Sequence, residues 1–308
     1  MSKISIIIPC YFNELNIPLT TSELIQNEIN YPEGTVFEYV MVDDGSKDNT
    51  FLMLKDFKDL FPDKVKIVKL SGNFGSYNAI LAGMEYATGD CNIIISADLQ
   101  DPISLMPKMY DYWLKGIKLV ICNRENREDP FLSKLFATIF QKLIKKFALN
   151  NLPEGGFDYV LFDRQLKNQV LEMDEKNSNS IYLFLWLKYD FISIPYTREK
   201  RTIGKSKWTL SKKIKLLIDS FVSFSFLPIR IITVTGFLLG LIAIIYAIVI
   251  LYNKFNDNIK VEGWSTLMLI FLFVSSFQMI SLGVLGEYLW RTLDASKKRP
   301  NYVVDEIL

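Results

Sequence analysis

Histidine is absent from the chain. That excludes histidine-based triads and histidine metal sites, and any general base has to be a carboxylate or a less usual group. Cysteine is scarce: Cys10, Cys91 and Cys122 are scattered and odd in number. They build neither a disulfide framework nor a zinc spacing, which fits a reducing compartment. Excess charge of one sign is also missing. The 35 Lys and Arg balance 34 Asp and Glu to a net +1, so bulk charge gives no reason to expect nucleic-acid binding. Internal repeats and low-complexity segments are lacking. Ile4–Ile8 is too short for the apolar core of a signal peptide and runs into Pro9, so no cleaved leader is expected there.

What is present is patterned. The 308 residues leave room for one ordinary domain plus a smaller appendage. Ile4–Pro9, Phe37–Asp43, Val65–Leu70, Asn92–Ala97 and Leu119–Cys122 are short and rich in Ile and Val, as strands are. Between them, Glu14–Asn27, Asp48–Lys58, Ser76–Ala87 and Ile103–Lys115 read as helices, with Asp48 as an N-cap or first-turn acid. Strand–helix alternation predicts a mostly parallel α/β sheet. Cys122–Pro130 reads as a charged loop carrying Arg124 and Arg127. Leu132–Phe147 has the spacing of an amphipathic helix, packed on the core or lying on a membrane surface. Asp174–Ser180 reads as loop and Phe191–Thr197 as strand.

The apolar excess lies late in the chain. Ile231–Tyr252 and Trp264–Gly286 contain no charged residue, and each is long enough to cross a hydrocarbon core of roughly 30 Å. Two buried soluble helices are the weaker alternative, since few are apolar all round for this length. A basic stretch from Arg198 to Lys215 precedes the first span, and Arg291, Lys297, Lys298 and Arg299 follow the second. By the positive-inside rule both termini are cytoplasmic and the linker is outside. The predicted divisions are a cytosolic catalytic domain over 1–209, an interfacial helix over 210–228 and spans over 229–252 and 264–288. An extracytoplasmic linker covers 253–263 and a cytosolic tail 289–308.

Four clusters fall where strands are predicted to end: Pro9–Glu14, Val42–Ser46, Gly72–Gly75 and Ala97–Pro102. Any one could be turn chemistry. Together they place carboxylates on one edge of one sheet, where open α/β sheets bind ligands. Carboxylates there can accept hydrogen bonds from a nucleobase imide and ribose hydroxyls. Asp98 and the amide oxygen of Gln100 can hold Mg2+ or Mn2+ against a diphosphate.

These motifs occur in order with Asp158–Arg164, Arg201–Trp208, Leu285–Arg291 and Lys298–Tyr302. The set resembles the family 2 glycosyltransferases that glycosylate polyprenyl phosphates, over about Ile4 to Tyr302. The resemblance implies a GT-A (Rossmann-like) fold with interfacial helices and two C-terminal transmembrane helices. It implies a nucleotide-sugar pocket at Pro9, Tyr11, Glu14, Asp43, Asp44 and Ala97, with Arg201 and Lys207 on the donor diphosphate. Asp98 and Gln100 would be the metal ligands, Asp98 and Asp158 the catalytic pair, and Arg124 and Arg127 the acceptor-phosphate binders. Some members carry Asp where Ser96 stands, which places more weight on Asp98.

The activity so implied is inverting, metal-dependent transfer of a hexose-type sugar from UDP-glucose or a related UDP-sugar to undecaprenyl phosphate. The setting would be the bacterial cytoplasmic membrane, with association, as a tetramer, through the membrane region. GDP-mannose-dependent transfer and transfer to another membrane lipid are the alternatives. A sugar nucleotidyltransferase would need a glycine-rich phosphate loop, and Pro9–Glu14 has no glycine. A non-enzymatic scaffold is disfavoured by Glu14, Asp43, Asp98 and Gln100 standing together.

Overall fold

The computed structural model describes residues 2–126, 131–173, 175–176, 178–199, 218–255 and 263–308. Arg127, Arg201, Lys207 and most of the basic stretch and linker lie outside them. The chain forms two compact units, Met1–Leu217 with Pro300–Leu308, and Ile218–Arg299.

The first unit is built on one eight-stranded sheet. Its strands are β1 (Lys3–Cys10), β2 (Val36–Asp43), β3 (Val65–Leu70), β4 (Cys91–Ile94), β5 (Leu119–Asn126), β6 (Tyr159–Asp163), β7 (Ile192–Thr197) and β8 (Val304–Ile307). They lie in the order β7-β5-β6-β4-β1-β2-β3-β8. β1 is parallel to β2 and β4, and β2 to β3. Helices cover the sheet, so central strands are buried on both faces and read as unbroken apolar runs. Ile4, Ile6, Ile7 and Ile8 are all essentially buried. The connecting helices are α1 (Ile17–Asn27), α2 (Thr50–Leu60), α3 (Ser76–Tyr86) and α4 (Met106–Leu114).

Several boundaries differ from the sequence expectation. α1 starts at Ile17 rather than Glu14, with Pro18 in its first turn, where the missing N–H costs nothing. α2 starts at Thr50, and Asp48 sits just outside it, accepting from the Thr50 amide at 3.2 Å. β4 stops at Ile94, where its pairing with both β1 and β6 ends, and the chain then turns through Ala97–Asp98 to Leu99 with φ of 56°. β5 continues to Asn126 because it pairs with β7 through Arg124↔Tyr196 and Asn126↔Thr197. Arg124 therefore stands on a strand and not in a loop. β6 and β8, and the helices α6 (Arg164–Glu172) and α7 (Ser180–Trp186), were not anticipated. Helix α5 (Phe131–Phe147) forms as expected. Its Ile144 is buried, while Ile139, Leu143 and Phe147, spaced by four, remain exposed.

At the edge of the sheet where β1 and β2 begin, Glu38 is 6 % exposed. It accepts from Ser5 Oγ, Lys3 Nζ, Thr88 Oγ1 and the Thr88 amide. Burial alone would raise its carboxyl, but these donors more than offset it and hold the group at about 2 against an ordinary 4.5. A depressed carboxylate stabilises the fold fully above its unfolded value and stops doing so as pH falls through the folded one. We expect about 3 kcal/mol of stability from this group to be lost between about pH 4.5 and 2. Glu38→Gln should be less stable than wild type at neutral pH, with the gap closing across that window in pH-dependent denaturant unfolding. A gap independent of pH would show that the Glu38 charge is not what stabilises this cluster.

The second unit contains a helical stretch over 218–224 and two long helices, Leu227–Phe255 and Trp264–Ser296. Both are long and apolar enough to cross a membrane, and their apolar windows are not buried. The second runs ten residues past Gly286. There Arg291 pairs with Glu287 at 2.9 Å and with Asp219 at 2.5 Å, and the Tyr288 hydroxyl donates to the Ser225 carbonyl at 3.2 Å.

Candidate active site

Strands β4, β1, β2 and β3 are adjacent and mutually parallel. The four clusters that follow them therefore share one edge. β6 runs antiparallel to β4, with Ile94 opposite Val160, so Asp158, just before β6, falls on that edge too. β5 carries Arg124 there, and parallel β7 carries Tyr196.

The β1 and β2 ends are locked together. Cys10 pairs with Asp43, and the Asp44 amide donates to the Cys10 carbonyl at 2.9 Å. Phe12 has φ of 55°, a left-handed conformation that costs a non-glycine residue about 1–2 kcal/mol. It is held by Ser46 Oγ, which accepts from its amide at 3.0 Å. Tyr11 and Phe12 meet edge to face at 4.6 Å, and Pro9 lies half-buried at the end of β1. Glu14 accepts from the Asn49 amide at 2.9 Å, bracing the start of α2.

The two adjacent aspartates differ. Asp44 takes the Phe74 and Gly75 amides on its two oxygens, at 2.7 and 3.0 Å, and so holds the loop after β3. Gly45 lets this loop pair close: its φ is +69°, and a Cβ there would lie 2.4 Å from the Gly72 carbonyl carbon. Asp43 is fully buried and takes the Ser46 amide on one oxygen at 3.1 Å. Its other oxygen is buried with no hydrogen-bond partner among the described residues. A buried acceptor left without a donor calls for one from outside. Burial pushes this carboxyl above its ordinary value, against the Ser46 hydrogen bonds.

After β4, the Ala97 carbonyl accepts from Thr20 Oγ1 at 3.0 Å, and the left-handed Leu99 separates Asp98 from Gln100. Asp98 is 8 % exposed. Gln100 is clasped to the segment just after β7: its side-chain Nε2 donates to the Glu199 carbonyl at 3.1 Å and its backbone carbonyl accepts the Glu199 backbone N–H at 3.0 Å. Among the described residues, no three Asp, Glu, Cys or His side chains converge as a metal cage. Asp98 and Gln100 nevertheless fit Mg2+ or Mn2+, which take hard oxygens and are commonly completed by substrate phosphates.

Beside this loop lies a polar chain that the motifs did not reveal. Asp101, 2 % exposed, accepts from Ser96 Oγ at 2.6 Å and from the Tyr196 hydroxyl at 2.5 Å. Arg198 stands 3.7 Å from it. Arg124 Nε donates to the Tyr196 oxygen at 3.5 Å, and Arg124 Nη2 pairs with Asp158. Burial works against the Arg124 charge. Asp158, Tyr196 and Asp101 more than offset that and push the guanidinium above its ordinary value. Tyr77 of α3 also feels Asp158: burial, then this charge, push its hydroxyl well up. Gly155, at φ +82°, lets the loop before Asp158 close on Arg124, whose carbonyl a Cβ would overlap.

Buried carboxylates, an unpaired Asp43 oxygen and an arginine–carboxylate pair gathered along one edge of an α/β sheet make that edge suited to a polar, charged ligand. The chain is a glycosyltransferase of the GT-A fold: it belongs to glycosyl transferase family 2, whose profile matches residues 5–182. It is 31 % identical over 306 residues to a prophage bactoprenol glucosyl transferase homolog of Escherichia coli K12, covering 99 % of both chains. It is 30 % identical to the bactoprenol glucosyl transferase of Shigella phage SfV, covering 98 % of each. A putative glycosyltransferase of Bacillus subtilis, CsbB, is 34 % identical over 98 % of this chain and 91 % of its own. Among solved structures, a Pyrobaculum calidifontis mannosyltransferase in complex with GDP-Man and Mn2+ is 19 % identical, with a TM-score of 0.49 over 72 % of this chain and 64 % of that one.

Proposed function

We propose that this protein moves a hexose-type sugar from a nucleotide-diphosphate sugar, a UDP-sugar such as UDP-glucose, onto a polyprenyl phosphate. The observation that carries this is similarity along nearly the whole length of a bactoprenol glucosyl transferase and of a homolog of one, apolar helices included.

The donor side would be the β1–β2–β4 edge. The unpartnered Asp43 oxygen suits a nucleobase N–H donor, and Tyr11 and Phe12 offer an aromatic wall beside it. Asp98 and Gln100 would hold the divalent cation, which when bound supplies Lewis-acid neutralisation of the leaving diphosphate. The acceptor side would be the β5–β6 edge. Arg124 offers a planar, permanently charged fork suited to a phosphate, and Asp158 fixes that fork. An acceptor phosphate oxygen attacks the anomeric carbon as the bond to the donor diphosphate breaks, so configuration inverts and the nucleoside diphosphate leaves with the bonding pair. A phosphate monoester, with a second pKa near about 6, is already largely a dianion at neutral pH. No strong general base is needed, which suits a chain without histidine.

Two features support a membrane setting. β8 rejoins the sheet of the first unit after the two apolar helices, pairing Val68↔Ile307 and Lys69↔Glu306. Chain before and after two crossings then lies on one side, which positive-inside makes the cytosol. The exposed Ile139–Leu143–Phe147 stripe, beside Lys142, Lys145 and Lys146, suits an interfacial helix.

Arg201 is the proposed donor-phosphate arginine of the basic stretch. Arg201→Lys keeps charge and topology but loses the bidentate fork, so activity in vesicles should fall about tenfold or more, with a reporter at Asp257 still mapping outside. Full activity with normal topology would make Arg201 a topology signal only.

A further inference from the structure

The proposed acceptor arginine does not stand alone. We propose that Tyr196 and Asp101 are positioning residues that hold the Arg124 guanidinium in the plane and direction from which, beside Asp158, it receives the acceptor phosphate. This deepens the function proposed above and rests on it.

Three observations carry the inference. The first is the direction of the hydrogen bonds. The Tyr196 hydroxyl donates to Asp101 Oδ1 at 2.5 Å, which leaves its oxygen to accept from Arg124 Nε at 3.5 Å. A carboxylate only accepts, so Asp101 fixes which way the tyrosine points, and the tyrosine fixes the arginine. The second is the division of labour on the guanidinium. Two of its five N–H donors go to Tyr196 and Asp158. Held at two points, a planar fork has its orientation set, and less freedom is lost when it binds an oxyanion. The third is burial. Asp101 is 2 % exposed and Tyr196 5 %, too enclosed to meet substrate directly. Tyr196 is wedged by Tyr159, edge to face at 6.1 Å, and the Tyr159 hydroxyl donates to the Pro102 carbonyl at 3.1 Å.

The chain also joins the two halves of the reaction. Asp101 lies three residues beyond Asp98, and Ser96 Oγ anchors its second oxygen at 2.6 Å. The loop proposed to hold the donor diphosphate and the arginine proposed to hold the acceptor phosphate therefore share one buried carboxylate.

Tyr196→Phe is the clean test, because it deletes one oxygen and keeps the ring. Wild type and variant, as the full chain in vesicles, are given polyprenyl phosphate and the productive nucleotide sugar. Initial rates are measured against each substrate, with nucleotide binding and thermal unfolding in parallel. We expect kcat/KM for the polyprenyl phosphate to fall about tenfold, the worth of one hydrogen bond to a charged group, with nucleotide affinity unchanged and the unfolding temperature somewhat lowered, because Asp101 Oδ1 loses its hydroxyl donor. Asp101→Asn keeps the shape but removes the fixed direction of acceptance, and should show the same acceptor-selective loss. Equal losses for donor and acceptor, measured below the unfolding temperature of both proteins, would overturn the inference in favour of plain structural support. Unchanged kinetics in both variants would overturn it as well, leaving the function standing. A wild type that transfers no sugar to polyprenyl phosphate would overturn the function and this inference with it.

Discussion

Replacing Asp98 with alanine is expected to lower sugar transfer by about 100-fold or more, the scale of losing an interaction that a metal-assisted step depends on. Expression, membrane insertion and thermal unfolding should be unchanged. Asp98 lies in the turn that follows β4 at the parallel edge, where its Oδ1 accepts the Gln100 backbone N–H at 3.4 Å and the Ala97 carbonyl takes the Thr20 hydroxyl. Its removal leaves β4 and its neighbours paired. Chelator should reproduce the loss in wild type and added Mn2+ or Mg2+ should reverse it. Gln100→Ala should be milder, since an amide oxygen is a neutral ligand. A variant that transfers at the wild-type rate, or a wild type indifferent to chelator, would remove Asp98 from the metal site.

Asp158→Asn is expected to lower kcat at least about tenfold while changing nucleotide affinity little. The side chain pairs with Arg124, which is 11 % exposed. Asp158 is about half exposed, and its neutralisation leaves the largely buried guanidinium without that counterion. Here the loss would fall on the proposed acceptor arginine of β5, which three strands separate from Asp43 of β2. Isothermal titration with UDP and single-turnover transfer would separate the two effects. If UDP binding collapses in this variant, Asp158 belongs to the donor side.

The central strands were legible because strands covered on both faces become unbroken apolar runs, as Ile4–Ile8 and Val40–Val42 are. Their acidic ends were legible because parallel order puts every such end on one edge. β8 was not: Val304–Ile307 is a four-residue edge strand, half exposed, and it pairs with β3 across more than 230 residues of chain. β6 was hidden because Tyr159–Phe162 is only four apolar residues between Asp158 and Asp163, and unlike the run through Ile95 that made β4 visible it is too short to tell from a buried helix segment.

The site divides in the same way. Asp43 and Asp98 could be picked out from their place after apolar runs. The sequence could not tell that Asp44, next to Asp43, spends both oxygens on the Phe74 and Gly75 amides. Asp101 and Tyr196 were passed over because their meeting depends on β7 lying beside β5, a matter of sheet order that no local motif encodes. The short run Gln100-Asp101-Pro102 held the one available signal, a second carboxylate three residues after the first.

The central claim is sugar transfer to a polyprenyl phosphate. Purified full-length protein in vesicles with polyprenyl phosphate, Mg2+ or Mn2+ and a panel of UDP- and GDP-sugars, read by mass spectrometry of the lipid, tests it most directly. A polyprenyl-phosphate monosaccharide formed from a UDP-hexose is the expected product. Sugar appearing only on another lipid or only as free hydrolysed sugar, with the polyprenyl phosphate untouched across the panel, would contradict it.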